Sequence, residues 1–236
     1  MDSSLAENSP DCLTRSYIPA GGRCERPDAS RTRGAQTPRR STGASLRSTP
    51  TIPPPRVDLI GRYTGAIDVL IANLAILAPT TPAADASDDE WRSTFAALVD
   101  PLPRLFRAAR PPMISRRAGR ILVIGSAAAL QGIKRTSTYS AARGAQLAYV
   151  QAVGLEVAVH NVQVNAIAQN FVDNPTYFPP EIQADPRFQE RLKREVPLGR
   201  LASAREDAEF AAYLCSDRAA CFVGQVFPLC GGWVTR

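Results

Sequence analysis

Three residues in the middle of this 236-residue chain could move a proton together. Ser126 closes the apolar run Ile121-Leu122-Val123-Ile124-Gly125-Ser126, Tyr139 follows thirteen positions later, and Arg143 stands four beyond the tyrosine. Residues at i and i+4 of a helix share a face. A guanidinium beside a phenol favours the phenolate, and a phenolate can act as general base toward a hydroxyl. A serine at the end of the neighbouring strand would hold that hydroxyl's oxygen by a hydrogen bond. A Tyr-x-x-x-Arg pair alone is also what an exposed helix surface shows; the serine at this distance makes it a site. The other proton-moving constellations have little to draw on. His160 is the only histidine, in a helix-to-strand turn where a solvated or capping role is expected. The five cysteines (Cys12, Cys24, Cys215, Cys221, Cys230) form no C-x-x-C, so neither a metal site nor a disulfide framework is expected.

The elements that must position these residues alternate strand and helix. Ile67–Asn73 is a short apolar run of the kind a buried parallel strand needs. Ser87-Asp88-Asp89-Glu90 caps a helix predicted over 87–109, with Pro101 as a kink. A strand at 121–126 follows Gly119-Arg120, a helix is expected over about 137–158, and a strand over 162–167. After a long loop, Ser203-Ala204-Arg205-Glu206 is a capping box that opens a helix through Leu214. Gly224–Leu229 and a Gly231-Gly232 turn close the chain. This order predicts an α/β fold with a parallel sheet covered on both faces, whose sites lie beyond the carboxyl ends of the strands.

Residues 1–56 have a different character. They hold nine Arg, no Lys and five acids among Ser, Thr, Pro and Gly, with no helical or strand periodicity. Such a stretch cannot bury enough apolar surface to offset its chain entropy and reads as disordered. Arg outnumbers Lys 26 to 2 in the whole chain, as GC-rich coding DNA produces, and an out-of-frame reading of such DNA gives the same composition. Residues 1 to about 55 are therefore read as a frame-shifted stretch or a wrong start; a transit or basic tail, disfavoured by the acids Asp2, Glu7 and Asp11, and a genuine disordered extension on a truncated fold compete with it. Residues 57–236 form the catalytic domain on this reading. Of the net charge of +6, the first 56 residues carry +4 and the remainder +2. A nearly neutral body does not fit a nucleic-acid binder. With no secretory pattern at the start and no long apolar run, a cytoplasmic protein away from membranes is expected.

From Val57 onward the sequence resembles the short-chain dehydrogenase/reductase superfamily. Asn73-Leu74-Ala75 is similar to its N-N-A-G turn, Ile124-Gly125-Ser126 to its catalytic-serine strand, Tyr139-x-x-x-Arg143 to its Y-x-x-x-K, and Asn165-Ala166-Ile167-Ala168-Gln169-Asn170 to its N-x-I-x-P-G. The resemblance implies a Rossmann-like doubly wound sheet, with its first βαβαβ portion missing or replaced by disordered sequence and an edge left uncovered. The departures are specific. Arg143 replaces Lys, Gln169-Asn170 replaces Pro-Gly, Ala96-Ala97-Leu98 stands where a relay Asn is usual, and the T-G-x-x-x-G-x-G phosphate loop is nowhere in the chain.

These departures resemble one offshoot, the halohydrin dehalogenases, as do Asn170-Phe171 with Asn174–Pro179, Val196–Leu201 and the Gly231-Gly232-Trp233 ending. That resemblance implies cofactor-free conversion of vicinal haloalcohols to epoxides, reversible with small anions, in a homotetramer whose helices 87–109 and 137–158 would pack on partner copies. Ser126, Tyr139 and Arg143 would be catalytic, and Gln169, Asn170, Phe171 and Phe178 would surround the halide. The competing readings are an NAD(P)-dependent oxidoreductase, disfavoured by Arg143 and the missing glycine loop, and an inactive sensor, disfavoured by retention of all three acid–base residues.

Overall fold

The computed structural model describes residues 17–19 and 67–235. Five parallel strands lie side by side in chain order: β1 (Tyr17–Pro19), β2 (Val69–Asn73), β3 (Gly119–Ser126), β4 (Val162–Gln169) and β5 (Val226–Leu229). The register of β3 on β4 pairs Gly119 with Val162 and ends with Ser126 opposite Gln169, so the candidate serine and the start of the candidate halide segment close neighbouring strands. All eight residues of β3 are buried, as expected for a strand covered on both faces.

The period-2 alternation of the strands sorts the core. Leu70, Ala72, Ile121, Val123, Val164 and Ala166 pack with residues of α1 (Asp88–Leu98), α2 (Pro101–Arg116) and α3 (Ser137–Val157). Leu122, Ile124 and Ile167 face the other way, onto Leu214 of α6 (Ala204–Leu214) and the rings of Phe210, Phe222 and Phe227. The close seat of α3 depends on glycine: a Cβ on Gly154 would lie 2.6 Å from the backbone nitrogen of Gly224, itself at φ +64°. The two expected caps form. Ser87 accepts from the backbone N–H of Glu90, and Ser203 makes the full capping box with Glu206.

Two expectations need correction. The helix predicted over 87–109 is two helices, because Pro101 begins α2, where its missing N–H is harmless, instead of kinking one long helix. That second helix runs through Pro111 and Pro112 to Arg116, and its buried residues are Leu102, Leu105, Phe106, Ala109 and Met113. The long loop before Ser203 contains α4 (Pro180–Ala184) and α5 (Pro186–Glu195). Asp185 caps α5 by accepting from Arg187 N–H, Pro186 occupies its first position, and Phe188 and Leu192 bury one stripe. Within the segment expected to be missing or disordered, Tyr17–Pro19 pairs in parallel with Ile71–Asn73. The rest of the segment 1–56, read as disordered, lies outside the described residues. No described helix is long and apolar enough to cross a membrane.

Candidate active site

Strand β3 delivers Ser126 to the carboxyl end of the sheet, where its Oγ accepts from Ala128 N–H at 3.2 Å and fixes the turn that leaves the strand. The first two turns of α3 carry Tyr139 and Arg143, 8% and 4% exposed. The Arg143 guanidinium lies 5.0 Å from the centre of the Tyr139 ring, a cation–π contact. Its Nη1 reaches Leu74 O at 2.8 Å, Gln146 Oε1 at 2.9 Å and Ile124 O at 3.2 Å. Gln146 in turn donates to Leu98 O at 2.6 Å, tying the cation to the end of α1. The cation is therefore held by oxygens from the chain after β2, from β3 and from α3. These partners are dipoles and not carboxylates, so they position the charge without neutralising it. Its Nε is buried and has no hydrogen-bond partner among the described residues.

The residues expected around a halide lie at the end of β4 and just beyond it, and several of their donors are engaged. Gln169 Nε2 donates to Asp207 at 2.6 Å. The backbone N–H of Asn170 donates to Leu229 O at 3.0 Å. The Asn170 side-chain oxygen accepts from Phe171 N–H at 2.9 Å, occupying the donor an anion would need. Phe171 is 2% exposed, has φ +52°, and packs against Phe178 and Trp233 with both ring centres 6.0 Å away. Phe178 continues the cluster onto Phe188 at 5.4 Å. Asp207 is a half-buried carboxyl raised above its ordinary range by burial, opposed by the Gln169 amide.

Sequence reasoning missed the part played by one residue, Tyr177. Its hydroxyl donates to Ile76 O at 2.8 Å. Burial raises this phenol above its ordinary value, Tyr139 adds to the rise, and Arg143 opposes it, so Tyr177 shares the surroundings of the acid–base pair. Ile76 and Tyr177 are 101 positions apart, so only the topology could reveal this contact. Among the described residues no group of three or more His, Cys, Asp or Glu could hold a metal ion.

Two observations bear on a nicotinamide cofactor. The segment beyond β4, where such a ring would lie, is packed with Phe171, Phe178 and Trp233. The cation that would hold a ribose is committed to Leu74, Ile124 and Gln146.

A family profile described as enoyl-(acyl carrier protein) reductase matches residues 56–234. A 3-oxoacyl-(acyl carrier protein) reductase of Vibrio harveyi is 31% identical over 168 residues, 71% of this chain and 67% of the relative. A ketoacyl reductase of Streptomyces coelicolor, described as putative, is 30% identical over 198 residues, covering 79% of this chain and 74% of the relative. The chain belongs to the short-chain dehydrogenase/reductase superfamily. Among solved structures, one titled a dehalogenation enzyme has TM-score 0.72 and 34% identity, covering 75% of this chain and 73% of its own. A halohydrin dehalogenase bound to ethyl (2S)-oxiran-2-ylacetate has TM-score 0.71 and 31% identity, covering 76% and 74%. The resemblance to halohydrin dehalogenases expected from the motifs is thus found in solved structures as well.

Proposed function

We propose that this protein is a halohydrin dehalogenase: a lyase that converts vicinal haloalcohols to epoxides and, in reverse, opens epoxides with small anions. The observation that carries this reading is the buried Arg143 beneath Tyr139, a cation fixed by carbonyl oxygens with no carboxylate to compensate it. Such a cation stabilises negative charge beside the phenol. The packed segment beyond β4 and the two dehalogenase structures support the same reading.

In the reaction, Ser126 donates a hydrogen bond to the substrate's hydroxyl oxygen. Tyr139, as general base, takes the hydroxyl proton while the oxygen attacks the adjacent carbon. The new C–O bond closes the epoxide as the C–halogen bond breaks, and the halide leaves with the electron pair. The proton then passes from Tyr139 to solvent. Donors preorganised where charge develops stabilise such a step. For Phe171 N–H to serve the departing halide, the Asn170 side chain must first release it.

The reductase names of the curated relatives favour a second reading, NAD(P)H-dependent reduction of a ketone. The two separate in one experiment on the purified full chain. Chloride release from 1,3-dichloro-2-propanol is followed with an ion-selective electrode without nucleotide, beside NADPH oxidation with an acetoacetyl thioester. The dehalogenase reading expects chloride release, lost in Tyr139→Phe, and no NADPH turnover. NADPH oxidation without chloride release reverses the assignment.

A further inference from the structure

Deepening the dehalogenase reading, we propose that Tyr177 is the specificity-determining strap of this site, closing the pocket over Ser126 and limiting the size of the substituent on the carbinol carbon. The argument is topological first. The sheet order places β3 between β2 and β4. Tyr177 belongs to the chain that leaves β4, and Ile76 to the chain that leaves β2. A hydrogen bond of 2.8 Å between them must therefore pass over the carboxyl end of β3, where Ser126 stands. Arg143 is fastened to the same short stretch, through Leu74 O at 2.8 Å. The floor of the site and its strap thus share one anchor.

The strap is also coupled to the segment beyond β4. Tyr177 is followed by Phe178, whose ring lies against Phe171 and Phe188. The backbone N–H of both Tyr177 and Phe178 donates to Asn174 O, so the turn moves as one piece. Releasing Tyr177 from Ile76 would swing the turn, and with it the ring that packs on Phe171.

The test compares kcat and KM of the full chain for 1,3-dichloro-2-propanol and the bulkier 2-chloro-1-phenylethanol in wild type, Tyr177→Ala and Tyr177→Phe. Removing the ring in Tyr177→Ala should raise the kcat/KM ratio of bulky over small substrate about tenfold or more, the scale on which apolar pockets discriminate. Tyr177→Phe keeps the ring and loses only the strap's hydrogen bond. It should raise KM for the small substrate about fivefold, with kcat nearly kept, as expected for a lost neutral hydrogen bond. Hydrogen–deuterium exchange reads the strap without the reaction: Tyr177→Phe should speed amide exchange over 171–178 while lowering the melting temperature only slightly, as loss of one hydrogen bond does. If Tyr177→Ala does not fold, the Phe variant decides through KM and exchange. An unchanged substrate ratio, or unchanged KM and exchange in Tyr177→Phe, overturns the strap. Absence of chloride release from the wild type overturns the dehalogenase reading instead, while the exchange experiment still tests whether Tyr177 fastens the two segments.

Discussion

Two parts of this site are built in opposite ways. The acid–base part, Ser126 with Tyr139 and Arg143, belongs to the core: its cation is 4% exposed and fastened to Leu74, Ile124 and Gln146, which come from different elements. The part beyond β4 mixes bonds to distant elements, from Gln169 to Asp207, Asn170 to Leu229 and Tyr177 to Ile76, with short local ones: Asn170 caps its neighbour Phe171, Asn174 caps Thr176, and Tyr177 and Phe178 are bonded to Asn174. Bonds between distant elements cannot be broken singly without loosening the fold, whereas short local bonds open and close at little cost. On the proposed reading, the comparison teaches that the proton-transfer pair is held by the fold, while the leaving-group side can adapt at its local bond between Asn170 and Phe171. Mutations in the first part should act on turnover and stability together. Breaking only the local Asn170–Phe171 bond of the second should act on anion affinity alone.

The sharpest way to break this division is Tyr139→Phe. Loss of the general base should lower kcat/KM about a thousandfold, with bromide affinity kept; loss of both together would mean the two parts are one. Next comes Arg143→Met, which leaves the Leu74 and Ile124 carbonyls and the Gln146 amide oxygen buried without a donor. A stability loss of about 3 kcal/mol or more is expected in urea unfolding, and a midpoint within error of wild type would show that the cation is not part of the core. A smaller effect is expected at Asn170→Ala. Freeing Phe171 N–H from its internal acceptor should tighten bromide binding about fivefold. The readout is quenching of Trp233, which packs on Phe171, in a Trp91→Phe background that removes the chain's other tryptophan. Weaker binding in that variant would mean that Asn170 is itself a bromide ligand.

The smallest effect concerns pH. The Asp207 carboxyl is raised in the folded state by burial, so the native protein holds its proton more tightly than the unfolded chain. Stability from this group is present below the ordinary carboxylate range and is lost as pH rises through the folded value. Asp207→Asn should remove that slope, so that wild type and variant, compared by urea midpoint, diverge only above the carboxylate range. A parallel offset at every pH would show that ionisation of Asp207 is not involved.

The acid–base part was legible in the sequence because its pieces are local. A strand-end serine and a Tyr–Arg pair one helical turn apart are spacings, and α3 and β3 formed where hydrophobic run length and periodicity placed them. The capped starts at Ser87 and Ser203 were legible for the same reason. What escaped depends on contacts between distant segments or on an ambiguous signal. Pro101 fits either a kink or a first helical position, and packing of Leu98 and Leu102 chose the second. The Tyr177–Ile76 bond joins two turns that only the strand order brings together. Gln169, Asn170, Phe171 and Phe178, expected to surround a halide, lie at the end of β4 and beyond it. The bonds of Gln169 to Asp207, of Asn170 to Leu229 and of Asn170 to Phe171 are a matter of rotamers and register that no spacing encodes.

The claim that an adaptable anion site adjoins a fixed proton-transfer pair is tested most directly by anomalous diffraction from crystals of the full chain soaked in bromide. A bromide peak in contact with Phe171 N–H is expected, with the Asn170 side chain turned away from it and the contacts of Arg143 to Leu74 and Ile124 unchanged. Crystals that take up bromide elsewhere, with Asn170 still on Phe171 N–H, would contradict it.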